Sequence, residues 1–144
     1  VTQDSPDGTA QASPPGVRLG LPAAGPGSVS TIGRRLLALA MDWAIAVVLV
    51  ATLQLTDPEV PSTGALNRLI VWFVLVALIT GLTGASIGQH LCRMRVTRVD
   101  GRPLGLWRAT LRTLLIALVI PAVVQDDDRR GLHDIVVASV VLNR

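Results

Sequence analysis

The sequence predicts an all-α membrane protein with two transmembrane helices, a third short re-entrant or interfacial helix, and a small cytoplasmic β-hairpin. Three observations predict it. Half of the 144 residues are hydrophobic and only 3% are aromatic, more aliphatic surface than a soluble domain of this size hides. The apolar residues fall in long runs, as they do in segments that meet lipid. The arginines stand beside those runs, the pattern of loops held on the cytoplasmic side.

Residues 1–31 read as a disordered tail, leaving one membrane domain over residues 32–144. Ser5-Pro6, Asp7-Gly8, Pro14-Pro15-Gly16 and Pro26-Gly27 fall within the tail. Such a segment buries too little apolar surface to offset the entropy of ordering. It contains no apolar stretch of the kind a signal peptide needs, and none is expected.

The first helix is expected from about Ile32 to Leu55, with Ser30 or Thr31 as N-cap. Leu36 to Leu55 is a run of 20 residues broken only by Asp42, Thr52 and Gln54, enough to span roughly 30 Å of hydrocarbon. Thr56-Asp57-Pro58 stops it, because proline cannot continue a helix. The loop from Asp57 to about Ala65 holds no arginine and is placed outside. The second helix follows from about Leu66 to Leu82, with Trp72 as an interface anchor. Gly81, Gly84 and Gly88 either permit close helix contact or end the helix.

Residues 89–112 hold six arginines, which puts this segment and the N-terminal tail in the cytoplasm. Arg93, Arg95, Arg98 and Arg102 surround Asp100-Gly101, and a tight turn between short alternating stretches predicts a basic hairpin there. The third apolar run, Thr113 to Gln125, has 13 residues and contains Pro121. As a helix it measures about 20 Å, too short to cross alone. Either it re-enters or lies at the interface, or it crosses with Arg112 buried and paired; Arg129-Arg130 favour the first. Ile135 to Leu142 is valine-rich and suits a short strand or an interfacial segment.

Asp42 is the most informative residue. It lies seven positions beyond Arg35 on one helix face, about 10 Å deeper, too far for a direct pair. A carboxylate at that depth costs on the order of 3 kcal/mol and needs a partner, a wet cavity or a proton. Arg112, or failing that Arg108, is the natural cation. A structural ion pair and an ion or proton site are equally weighted readings. His133-Asp134 can orient an imidazole, although a surface turn is the simpler reading from these residues alone. Asp126 to Asp128 read as a solvated run rather than a cation site.

Composition and motifs exclude several classes. All thirteen basic residues are arginine and are not interleaved with aromatics, so no nucleic acid is expected as a partner. Cys92 is the only cysteine, which rules out an internal disulfide or a cysteine-based zinc site. Hydrolytic elbows, phosphate loops and metal-spaced histidine pairs are missing. No catalytic residue, cofactor or metal is expected, and the chain is not read as an enzyme.

Five stretches in order resemble the RDD family of bacterial membrane proteins, named for one arginine and two aspartates. Arg35-Leu-Leu-Ala38-Leu-Ala-Met-Asp42 is similar to its opening signature. Gly84-Ala-Ser86-Ile-Gly88-Gln89 resembles the motif after its second helix, and Arg95-Val96 with Asp100-Gly101-Arg102-Pro103 its cytoplasmic turn. Arg112 matches the arginine that opens its next apolar segment. Arg129-Arg130-Gly-Leu-His133-Asp134 with Ala138-Ser139-Val140-Val141 resembles its C-terminal signature. The resemblance covers about residues 33–142 and implies that Arg35, Asp42 and Asp134 are the naming residues. It raises the weight of His133-Asp134. Gln89 stands where the family usually has lysine, Arg93 where it often has glycine, and Ser139 where threonine is usual.

The expectation is therefore a membrane charge cluster of Arg35, Asp42, Arg112, His133 and Asp134, satisfied internally. The expected setting is a bacterial plasma membrane, with the bilayer and other membrane subunits or self-association as partners. Two function classes stand: a non-catalytic accessory or assembly subunit, and a small transporter or ion-handling subunit that uses Asp42 within an oligomer.

Overall fold

A computed structural model describes residues 14–57, 64–118, 126 and 130–144. After a 3-10 turn at Val17–Leu19 come α1 (Ile32–Thr56), α2 (Ala65–Thr83), α3 (Ile87–Leu91), β1 (Met94–Arg98), α4 (Leu106–Ala117), α5 (Leu132–Val136) and β2 (Ser139–Asn143).

The two long helices have 25 and 19 residues, roughly 37 and 28 Å, and so match a hydrocarbon core of about 30 Å. Both are long and apolar enough to cross a membrane. Only 22% of each apolar window is buried, far from the covering a soluble core helix has. α1 buries one stripe, Ala38, Asp42, Ala46 and Val50, at every fourth residue. Leu36, Leu37, Val48, Leu49 and Leu53 on its other sides are exposed. α2 buries Trp72, Val76, Ala77 and Thr80. The expected interface anchor Trp72 is instead 3% exposed. Its large ring fills the space left by the small Ala46 and meets Trp43 with centroids 6.2 Å apart.

The third helix begins earlier than its apolar run. α4 starts at Leu106, so Arg108 and Arg112 lie inside it, and it ends at Ala117 after 12 residues. It packs against α2, where a Cβ on Gly81 would come within 2.8 Å of the Leu106 Cα. Close contact is therefore the role of Gly81. Residues 119–125, with Pro121, lie outside the described residues, and so does the choice between crossing and re-entry.

The expected hairpin is a correction. A turn does form at Asp100-Gly101, closed by Gly101 N–H donating to the Arg98 carbonyl at 2.9 Å. The chain then leaves through Pro103, which has no N–H for a ladder, and enters α4. The partner of β1 is instead β2, antiparallel, with Met94 opposite Asn143, Val96 opposite Val141 and Arg98 opposite Ser139. For the valine-rich stretch Ile135 to Leu142 the strand holds from Ser139 onward, whereas Ile135 and Val136 end α5 instead. Two strands alone are marginal. Met94, Val96 and Val141 are supported by packing with Ala38, Leu104, Ala109 and Val137.

The expected structureless tail is corrected over residues 14–31, which the structure describes. They hold the 3-10 turn at Val17–Leu19 and end packed on the sheet, with Leu21 and Val29 against Val140 and Leu142. Ser28, Val29 and Ser30 are buried. Ser30 N–H donates to the Val141 carbonyl at 2.9 Å, and Asn143 N–H donates to the Ser28 carbonyl at 2.9 Å. The open edge of β2 adds backbone partners to the few turns that this Pro/Gly-rich segment makes within itself, such as Leu19 N–H to the Gly16 carbonyl at 2.9 Å. Residues 1–13 lie outside the described residues.

Candidate functional site

Two buried carboxylates organise the junction between the helix pair and the β1–β2 unit. The first is Asp42, 3% exposed, on the inner stripe of α1. Gly84 adopts a left-handed conformation that ends α2. The chain then starts α3 with a capping box. Ser86 Oγ accepts from Gln89 N–H at 3.2 Å, and Gln89 Oε1 accepts from Ser86 N–H at 2.9 Å. The same Ser86 hydroxyl donates to Asp42 Oδ2 at 2.5 Å, and Gly88 N–H donates to Asp42 Oδ1 at 2.7 Å. A Cβ on Gly88 would overlap the Ala38 carbonyl oxygen, so only glycine lets α3 lie this close to α1.

The second carboxylate is Asp134 at α5, which has no exposed surface. Arg112 Nε donates to its Oδ1 at 2.7 Å, and Ser139 Oγ donates to the same oxygen at 2.9 Å. Arg35 Nη1 donates to Oδ2 at 3.1 Å, and His133 Nε2 lies 3.5 Å from that oxygen. Burial alone would push the Asp134 carboxyl up. The charges of Arg112, His133 and Arg35 and the Arg112 hydrogen bond outweigh it, and the group is held well below the ordinary carboxylate range. It is an anion at every physiological pH.

The five expected cluster residues thus come together in part. Arg35, Arg112, His133 and Asp134 share one carboxylate. Asp42 stands apart from them in its direct bonding. The expected Asp42–Arg112 pair is not formed among the described contacts; Arg112 turns to Asp134 because that carboxylate lies within reach of its Nε. Asp42 takes neutral donors from the α2–α3 junction instead.

Sequence reasoning missed Ser86, Gly88 and Ser139 as carboxylate partners. For Ser86 a signal existed, since the Ser86-x-x-Gln89 spacing marks a capping box. The four outer arginines do not form one hairpin face. Arg98 pairs with Asp100 at 2.7 Å, whereas Arg93, Arg95 and Arg102 are exposed. Asp126 pairs with Arg130 at 3.1 Å, and Asp127 and Asp128 lie outside the described residues. Among the described residues no three His, Cys, Asp or Glu side chains converge as a metal set.

The class is a mostly helical protein in which two apolar helices long enough to cross a membrane are joined at one end, by a buried charge lattice, to a small two-stranded sheet. The RDD family model matches residues 29–138, about three quarters of the chain, and the chain belongs to the RDD family. No curated protein matches the chain significantly, and neither does any solved structure.

Proposed function

We propose that the chain is a non-catalytic accessory or assembly subunit of a membrane complex. The observation that carries this reading is that every oxygen of both buried carboxylates accepts a hydrogen bond from the chain itself. Asp42 spends its two oxygens on Ser86 and Gly88, and Asp134 spends its two on Arg112, Ser139 and Arg35. Such a lattice suits a latch that holds a surface unit in a set orientation on two membrane helices. Among the described residues it leaves neither carboxylate with an oxygen free of a donor, which disfavours a travelling cation there. We place the arginine-bearing end and the N-terminus in the cytoplasm of a bacterial cell, on the basic-residue rule. Other membrane subunits or further copies of the chain would meet the exposed apolar faces of α1 and α2.

One observation favours a second reading. Asp42 is a carboxylate inside a span, and such groups mark ion paths in many membrane proteins. An oligomer with Asp42 at its centre would then handle ions or protons. The experiment that separates the two begins with purification of the full chain in mild detergent and mass spectrometry of what accompanies it. An accessory subunit retains a membrane partner at fixed stoichiometry, loses it on charge reversal of Arg95 and Arg102, and keeps it in Asp42→Asn. Ion flux in proteoliposomes that Asp42→Asn abolishes in a folded protein would overturn the accessory reading.

A further inference from the structure

A groove of about 290 Å³ joins charge to apolar surface at the arginine-bearing end of the helix pair. It is lined by Arg34, Leu37, Met41, Leu91, Cys92 and Arg93. Its apolar side continues outward: Leu37, Met41, Ala44 and Val48 recur at helical spacing on α1, and Leu37, Ala44 and Val48 are exposed. The groove therefore opens onto the face that meets lipid.

Its polar side is prepared for an anion. Arg34 is held in place, with Nη1 donating to Asn143 Oδ1 at 2.8 Å and Nη2 donating to the Cys92 carbonyl at 2.5 Å. A guanidinium has five N–H donors, so three remain. Arg93 is exposed and has a backbone φ of +52°, a conformation that favours glycine. Neighbouring segments impose it: Arg93 N–H donates to the His90 carbonyl at 3.0 Å, and Arg144 N–H donates to the Arg93 carbonyl at 2.7 Å. A long cation stands where glycine would sit without strain, and strain of this kind concentrates at functional positions. Among the described residues no carboxylate pairs with Arg34 or Arg93.

We propose that this groove binds one anionic phospholipid, with its phosphate on Arg34 and Arg93 and the first part of one acyl chain along Leu37, Met41 and Leu91. A free phosphate would use the arginines and leave the apolar side empty. A lipid without a phosphate would do the reverse. A zwitterionic phospholipid brings its phosphate together with an ammonium that two guanidiniums repel, so an anionic phospholipid answers both halves best. At about 290 Å³ the groove falls just below the roughly 300 Å³ at which ligand pockets start. It therefore takes a headgroup and the start of a chain.

The test titrates the full chain in mild detergent with dioleoylphosphatidylglycerol, dioleoylphosphatidylethanolamine or inorganic phosphate, and counts bound lipid by native mass spectrometry. One phosphatidylglycerol binds in preference to phosphatidylethanolamine, and inorganic phosphate does not displace it. Arg93→Gly suits the backbone and keeps the fold, as its unfolding curve checks. It lowers phosphatidylglycerol affinity about fivefold, while Arg95→Gln, an equal charge loss outside the groove, changes it by less than about twofold. Equal losses from the two variants would mean diffuse attraction and overturn the proposal. Equal retention of the two lipids, or displacement by inorganic phosphate, would overturn it as well.

Discussion

Replacing Asp134 by asparagine tests the charge lattice most directly. The variant keeps the shape and one acceptor oxygen, but two guanidiniums lose their shared anion. The Arg112 side chain is 4% exposed and cannot rehydrate in place, whereas Arg35 at 12% has partial access to solvent. Breaking a buried pair by removing one partner costs about 3–5 kcal/mol, and the retained amide oxygen places Asp134→Asn near the lower end of that range. Arg35→Met leaves Asp134 with Arg112 and Ser139, so its cost is that of one charge-assisted hydrogen bond, about 1.5–3 kcal/mol. The assay is reversible unfolding in mixed detergent micelles, followed by tryptophan fluorescence. A pH series adds an independent check. The folded pKa of Asp134 is depressed, so its contribution is fully present above the ordinary carboxylate value of about 3.9 and is lost progressively as pH falls below it. Wild type therefore carries an acid-side slope that Asp134→Asn lacks. The reasoning is refuted if Asp134→Asn costs no more than Asp100→Asn, whose carboxylate pairs with Arg98 at the surface and is 43% exposed.

Three further outcomes follow from the same geometry. Ser86→Ala removes both the α3 cap and a donor to Asp42, so unfolding free energy falls by about 2–4 kcal/mol in the same micelle assay. Gly88→Ala forces a methyl group onto the Ala38 carbonyl and costs about 3 kcal/mol, while Gly33→Ala in α1, where a Cβ meets nothing within 4 Å, stabilises by up to about 1 kcal/mol. Deleting residues 139–144 strips β1 of its partner and Asp134 of Ser139. Limited trypsin digestion then cleaves at Arg95 and Arg98 at least tenfold faster than in wild type, on the order of what a local stability loss of 1.4 kcal/mol produces.

The parts of the fold that depend on local chemistry were legible in the chain. Leu36 to Leu55 and Leu69 to Thr80 predict their helices because transfer into hydrocarbon is summed residue by residue along a short window. Asp42 stood out for the same reason, as a charge within such a window. The strand partner of Met94–Arg98 was not legible. Asp100-Gly101 is a sound hairpin signal, and the turn forms, but ladder partners are chosen by which strand edge is nearby. A segment more than forty residues away won that place over the residues just after the turn.

The charge pairing divides in the same way. Sequence alone determined two apolar helices long enough to cross a membrane, an arginine-rich end and acids that need neutralising, because those properties are sums over neighbouring residues. Only the tertiary structure decided which donor meets which acid. Arg35 and Asp134 are separated by 99 residues and Asp42 and Ser86 by 44, and hydrogen bonds reach only about 3 Å. Partners that far apart in the chain are set by how α1, α3, α4 and α5 pack, down to the methyl group that Gly88 lacks, and no local pattern encodes that packing.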